Sequence, residues 1–338
     1  LVESASMKKK APVDFYKGKT VLITGGLGFI GSNLARALVK LGSKVTIVDS
    51  LVPEYGGNSF NLKGIENKVR VNISDVRDEY SINYLVKNQD LIFNLAGTLS
   101  HVDSMNDPYT DLEINVRSQI SILEACRKNN PKIKIIYAGT RNQYGKAQYL
   151  PVDERHPLCP TDVNGINCNA GEYYHILYNN VYGIRACSLR LTNTFGPRHQ
   201  MKHSRQGVLS WFIRQAIDNE VIKLMGTGEQ IRDVNFIDDV VRAMLMVGES
   251  EKVWGEIFNI GGMPVSLKEF VEELIAINKK GKYELMPFPE DRKKIEIGDY
   301  IADYFKIYRL LGWEPKTSLH EGIEKTLLFY KKYKKYYW

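Results

Sequence analysis

The chain has 338 residues, 43% of them hydrophobic and 25% charged, which suits a folded protein with one large core plus a smaller lobe and excludes a disordered chain. It contains no run of about eighteen uncharged apolar residues, so neither a membrane span nor a secretory signal is expected, and the protein reads as soluble and cytoplasmic. The net charge of +7 owes much to lysines at the two ends, among them Lys8, Lys9, Lys10, Lys331, Lys332, Lys334 and Lys335, so the body is nearer neutral and nucleic acid is disfavoured as a partner.

Leu1 to Ser6 precede Met7 and read as a remnant ahead of a natural start. Thr20–Thr24 is a short β-branched run that enters Gly25-Gly26-Leu27-Gly28-Phe29-Ile30-Gly31 and then a helical pattern beginning near Phe29. Glycines 26, 28 and 31 fulfil G-x-G-x-x-G between a strand and a helix. Such a turn needs unusual dihedrals, a pyrophosphate needs close backbone approach, and the helix N-terminus then faces the phosphates. The second strand, Lys44–Asp49, ends on a carboxylate about twenty residues further on, placed to accept hydrogen bonds from an adenosine ribose and to repel a 2′-phosphate. NAD is therefore expected rather than NADP. The alternative is a strand-ending aspartate that merely caps a turn.

Further strands are predicted at Val69–Ile73, Leu91–Leu95, Lys134–Ala138 and Ala186–Thr192, with helices beginning near Asp75, Asp111, Asn169 and Val208. Six strands alternating with helices predict an α/β fold, a Rossmann-type doubly wound parallel sheet. After Gly196-Pro197-Arg198 the alternation loosens. The expected organisation is an NAD-binding domain over 7–195, a smaller C-terminal substrate-binding lobe over 196–338, and a stretch, 234–261, that returns to the large domain. The cleft between them is the expected site. Cys126, Cys159, Cys168 and Cys187 show no zinc spacing and are expected as reduced thiols, with no metal site. The basic, aromatic tail from Tyr330 to Trp338 reads as a solvated helix end.

The glycine turn, Asp75, Asn94-Leu95-Ala96-Gly97, His101-Val102-Asp103, the stretch from Leu189 to Arg198, Gly226 to Asp233, and Leu311-Gly312-Trp313-Glu314-Pro315 together resemble the extended short-chain dehydrogenase/reductase family of sugar-nucleotide epimerases and dehydratases. The resemblance runs from about Lys19 to Phe329. It implies a cofactor site formed by Gly25, Gly28, Phe29, Ile30, Gly31, Asp49, Leu95 and Ala96, with Asp75 and Val76 at the adenine and Asn115 supporting the core beside the cofactor. It implies a nucleotide-diphosphate sugar as substrate, its diphosphate held by Asn193, Arg232 and Arg292, since a guanidinium fork suits phosphate oxygens. It also implies a homodimer paired through the helices expected near Asp111 and Asn169.

Members of that family use a tyrosine, a lysine four residues later and a serine or threonine at a strand end. Here Thr140 takes the hydroxyl position, but Asn164 stands in the tyrosine position and Cys168 in the lysine position. A carboxamide cannot accept a proton as a phenolate does, and a thiol brings no cation to lower a phenol's pKa. Substitute groups near in sequence are Tyr144, Tyr173, Tyr174, His101 and Cys168, of which Tyr144 and Cys168 are expected closest to the nicotinamide. Cys168 reads as a small buried thiol filling a lysine's space, with a nucleophile as the alternative. Arg141-Asn142 replaces the acid pair of dehydratases, so the expected chemistry is 4-epimerisation or dehydrogenation through a keto intermediate. The second reading is a catalytically impaired binding protein with a regulatory or scaffolding role.

Overall fold

The computed structural model describes residues 15–52, 55–289 and 296–338. The apolar runs form strands β1 (Thr20–Thr24), β2 (Lys44–Asp49), β3 (Val69–Ile73), β4 (Leu91–Asn94), β5 (Lys134–Thr140) and β6 (Arg185–Leu191), within one or two residues of their expected limits. A seventh strand, β7 (Ile257–Ile260), pairs with β6 and lies inside the stretch expected to return. The sheet is wholly parallel, in the order β7-β6-β5-β4-β1-β2-β3. Its middle is covered on both faces, which is why β4 reads Leu-Ile-Phe-Asn with every residue buried, whereas the edge strand β3 leaves Val71 and Ile73 exposed.

Helix α1 (Phe29–Lys40) crosses from β1 to β2 and packs against the helix Ile237–Glu249. The segment expected to start a helix near Asp111 is a short helix, Pro108–Leu112, then a π-helical turn, Glu113–Arg117, then a helix over Ser118–Asn129. The long helix expected near Asn169 starts earlier, at Val163, and runs to Tyr182. Its start is set by Asp162, whose carboxylate accepts the Gly165 amide at 2.7 Å and so satisfies one of the free first-turn donors. Gly183, at φ 70°, ends it in the left-handed conformation.

Beyond Phe195 the chain builds a second layer from the helices Val208–Asp218 and Leu267–Asn278. A two-stranded sheet and a three-stranded sheet complete it. The tail departs from expectation. Tyr330 and Tyr337 are buried, Tyr336 stacks on Phe60 with ring centroids 3.7 Å apart, and the Trp338 indole donates to Asp218 at 2.7 Å. Aromatics read as part of a solvated helix end are instead committed to packing, because their area is worth more against Phe60 and Phe329 than in water. Among the described residues no helix is long and apolar enough to cross a membrane.

One buried group makes the fold sensitive to acid. His175 is fully buried in the long helix, stacked on Tyr137 at 4.5 Å, with Nδ1 2.7 Å from the Gly171 carbonyl and Nε2 facing the Asn94 amide at 3.2 Å. Burial pushes its imidazole down from 6.5 to about 4. Between those values the unfolded chain binds the proton and the folded chain does not, so stability rises with pH across the window and is lost as pH falls through it. At about 1.4 kcal/mol per unit the loss reaches about 3 kcal/mol. Urea unfolding at pH 7 and at about pH 4.5 should show it, and His175→Gln should flatten the dependence by that amount.

Candidate active site

A cleft of about 790 Å³ opens at the carboxyl ends of β1, β4 and β5, between the sheet and the second layer, where the strand order reverses. Gly25 has φ +67°, and a Cβ there would stand 3.0 Å from the Leu95 carbonyl oxygen. A Cβ on Gly31 would stand 2.4 Å from the Gly25 carbonyl, so only glycine lets α1 close onto the turn. Helix α1 begins after Gly28, which has no side chain to cap it, and the first-turn amides are left for a ligand. Asp49 accepts the Leu27 amide at 3.0 Å on one oxygen and the Leu51 amide at 2.9 Å on the other. Burial raises its carboxyl and these amides pull it back. A carboxylate with about four lone-pair sites still has room for two ribose hydroxyls.

Gly25, Gly28, Phe29, Ile30, Gly31, Asp49, Asp75, Val76, Leu95, Ala96 and Asn115 all line this cleft. The Thr24 hydroxyl accepts the amides of Leu95 and Ala96 at 2.9 and 3.0 Å and donates to Asn94 at 2.8 Å, fixing the loop after β4. Asp75 is chelated by Arg77 at 2.9 and 2.7 Å, and that hydrogen bonding holds its carboxyl below the usual range. Asn115 sits on the π-helical turn and exchanges hydrogen bonds with Thr98 at 2.7 and 3.1 Å. The cradle suits a dinucleotide: a tight glycine turn, an open helix N-terminus and a carboxylate at ribose distance.

Thr140 ends β5 on the cleft wall, beside Arg141 and Asn142. Asn164 and Cys168 come from the first turns of the long helix and line the same wall, but both are buried. The Asn164 carboxamide donates to the Thr98 carbonyl at 2.8 Å and to Asp111 at 3.0 Å. Asp111, 2% exposed, also accepts the Thr98 hydroxyl at 2.6 Å and Asn167 at 2.7 Å. Asn164 thus ties the helix to the loop after β4. The Cys168 sulfur lies 3.8 Å from the Asn164 oxygen, and burial, then Asp111, push its thiol well up, so it stays protonated.

Tyr144 needs correction. It lies outside the cleft lining, fully buried, with its hydroxyl donating to Asn259 at 2.7 Å and its ring among Tyr300 and His156. Burial pushes its phenol up to about 12, so it is a core side chain and not the substitute base. On the far wall Asn193 has a buried Oδ1 without a partner among the described residues. Arg232 is 6% exposed, its guanidinium held by Glu296 at 2.7 Å and the Gly298 carbonyl at 2.9 Å. Arg292 lies outside the described residues.

Sequence reasoning missed Asp111, Thr98 and Asp162. Only Asp162 left a signal, an aspartate directly before a helical run. The other two become partners through folding alone.

The sequence matches the NAD dependent epimerase/dehydratase family over residues 21–261. A putative UDP-glucose 4-epimerase of Methanocaldococcus jannaschii is 33% identical over 314 residues, covering 91% of this chain and 97% of the relative. Among solved structures, UDP-glucose 4-epimerase with UDP-glucose from Thermotoga maritima superposes with a TM-score of 0.84 at 30% identity, covering 93% of this chain and 99% of that one. The Thermus thermophilus UDP-glucose 4-epimerase in complex with NAD gives 0.82 at 25% identity, covering 92% and 99%. With the family match spanning most of the chain, a relative 33% identical over nearly its whole length, and the glycine cradle, the Asp49 carboxylate and the reversal-point cleft in one fold, the chain belongs to the NAD dependent epimerase/dehydratase family.

Proposed function

We propose that this protein modifies a nucleotide-diphosphate sugar with NAD, oxidising one ring carbon to a ketone, either transiently as a 4-epimerase or with net dehydrogenation. One observation carries the reading: the glycine cradle and Thr140 line one continuous cleft of about 790 Å³ that also takes in Asn193 and Arg232. Bound NAD supplies the hydride acceptor. Residues Gly25 to Gly31 and Asp49 hold it, Thr140 hydrogen-bonds the reacting hydroxyl, and Asn193 with Arg232 receives the diphosphate. Arg292 is proposed to join them. The relatives are enzymes, which favours turnover over the binding-only alternative.

A ligand that binds only the folded state stabilises it by about 2.7 kcal/mol at a hundredfold excess over Kd. UDP-, GDP-, CDP- and dTDP-glucose should therefore be screened for a rise in melting temperature on the NAD-loaded protein. At least one should raise it, and Arg232→Ala should abolish that rise while leaving the rise due to NAD. If none of the four moves the midpoint while NAD does, the substrate reading fails.

A homodimer is proposed through the helices that start at Pro108 and Val163. Ile166, Tyr173, Leu177 and Val181 leave an apolar strip exposed along the long helix, beside exposed Tyr109 and Leu112. Sedimentation should give twice the chain mass, and Leu177→Glu with Val181→Glu should give a monomer.

A further inference from the structure

We propose that His101, oriented by Asp162, takes the proton of the reacting sugar hydroxyl, the task that falls to the tyrosine elsewhere in the family. The inference rests on the sugar-nucleotide reading above. His101 opens the short helix α2 (His101–Asn106), whose cap Ser100 accepts the Asp103 amide at 3.1 Å. This places the imidazole on the cleft wall, against the N-terminal turn of the long helix.

Nδ1 lies 2.6 Å from Asp162 Oδ2. Asp162 is 2% exposed in its side chain and its other oxygen caps the long helix through Gly165, so the carboxylate cannot turn away. Burial would lift its carboxyl, but His101, the Gly165 amide and Arg141 hold it below the ordinary value, so it remains an acceptor. A carboxylate on Nδ1–H leaves the lone pair on Nε2. Nε2 faces the Asn142 side chain at 2.7 Å, and the backbone amide of that same residue donates to the Thr140 hydroxyl at 3.4 Å. Asn142 therefore spans the two groups that would share the sugar hydroxyl, and the incoming hydroxyl replaces its amide as donor to Nε2.

The neighbouring groups are poorly placed for the task. The Asn164 amide is turned to Asp111, the Cys168 thiol is protonated, and the Tyr137 phenol is raised by burial and directed at the Cys168 carbonyl. Asp103, on the helix of His101, is paired with Arg205 at 3.2 Å. In the step, the hydroxyl O–H breaks and its proton moves to Nε2, the carbon's C–H leaves as hydride to NAD, and C=O forms. In epimerisation the hydride returns to the other face and the imidazolium gives its proton back to oxygen.

The test uses the NAD-loaded protein with UDP-, GDP-, CDP- and dTDP-glucose, reading nicotinamide absorbance in single turnover. His101→Gln should lower the rate about a hundredfold or more, with NAD affinity, KM and melting temperature unchanged. Added imidazole should restore rate to His101→Ala. Asp162→Asn, which keeps a capping side chain, should lower kcat rather than raise KM and should remove the low-field Nδ1 proton resonance expected in the NMR spectrum of the parent. A parent that turns over and a His101→Gln variant that matches it would overturn the inference alone. A parent that reduces or epimerises with none of the four sugars, nor shifts its melting with any, would overturn it together with the reading beneath it.

Discussion

Glu172→Ala is expected to lower unfolding free energy by about 3–5 kcal/mol, the loss typical when one partner of a buried ion pair is removed. Glu172 and Arg190 are 0% and 2% exposed in their side chains, joined by two hydrogen bonds, and the Ser188 hydroxyl donates to the same carboxylate at 2.7 Å. The Arg190 guanidinium lies over the Tyr144 ring at 4.6 Å. Without Glu172 the cation stays buried beside Tyr144, whose ring compensates a fraction of its lost hydration. Because the pair recovers in attraction roughly what its desolvation costs, the double variant Glu172→Leu with Arg190→Met should return to within about 1–2 kcal/mol of the parent. Guanidinium unfolding of the parent and the two variants gives both numbers. A single variant that loses under about 1 kcal/mol would show the pair to be solvated in the working protein. The functional stake is that Glu172 lies one helical turn beyond Cys168, so this pair clamps the site helix to β6.

Much of the fold was legible because each level of the sequence agreed with the next. The run Val21-Leu22-Ile23 could only be a strand buried on both faces, and the glycines after it could only serve a tight turn, since a Cβ at Gly31 has no space. The cofactor half of the site follows directly, because its parts are backbone geometry and one carboxylate, all within about thirty residues of chain. The catalytic half was less legible. Asn164 and Cys168 were visible as departures from a pattern, but what replaces the lost chemistry depends on contacts between residues far apart, His101 with Asp162 and Thr98 with Asp111. Tyr144 shows the converse error: close to Thr140 in sequence, it points into the core because the turn Arg141–Gln143 carries it past the cleft wall. The tail was misread for a related reason. Alternating lysines and tyrosines look solvated until Phe60 and Asp218 are known to lie beneath them.

Asp111→Ala should be as damaging as the loss of Glu172, about 3–5 kcal/mol, although no sequence pattern marks Asp111. Its carboxylate accepts three side chains, Thr98, Asn164 and Asn167, at 2.6, 3.0 and 2.7 Å, in a place where water is excluded. Leaving a buried donor unmet costs about 1–3 kcal/mol, and three are stranded together. Removing the charge itself returns a part of the desolvation already incurred, which keeps the total below the simple sum. Asn164→Leu strips only one donor from the cluster and should cost about 2 kcal/mol, so the two variants rank the hub above its spoke. Their effects should also be non-additive, since Asn164 has lost one of its two acceptors, keeping only the Thr98 carbonyl, once Asp111 is gone. The consequence for the site is separable from stability. Thr98 pairs with Asn115 on the cofactor wall, so Asp111→Ala should weaken NAD binding measured by calorimetry well below the melting temperature, whereas Asn164→Leu should leave it close to the parent. Equal NAD affinity in all three proteins would show that the cluster holds the helix alone and that the cofactor wall stands without it.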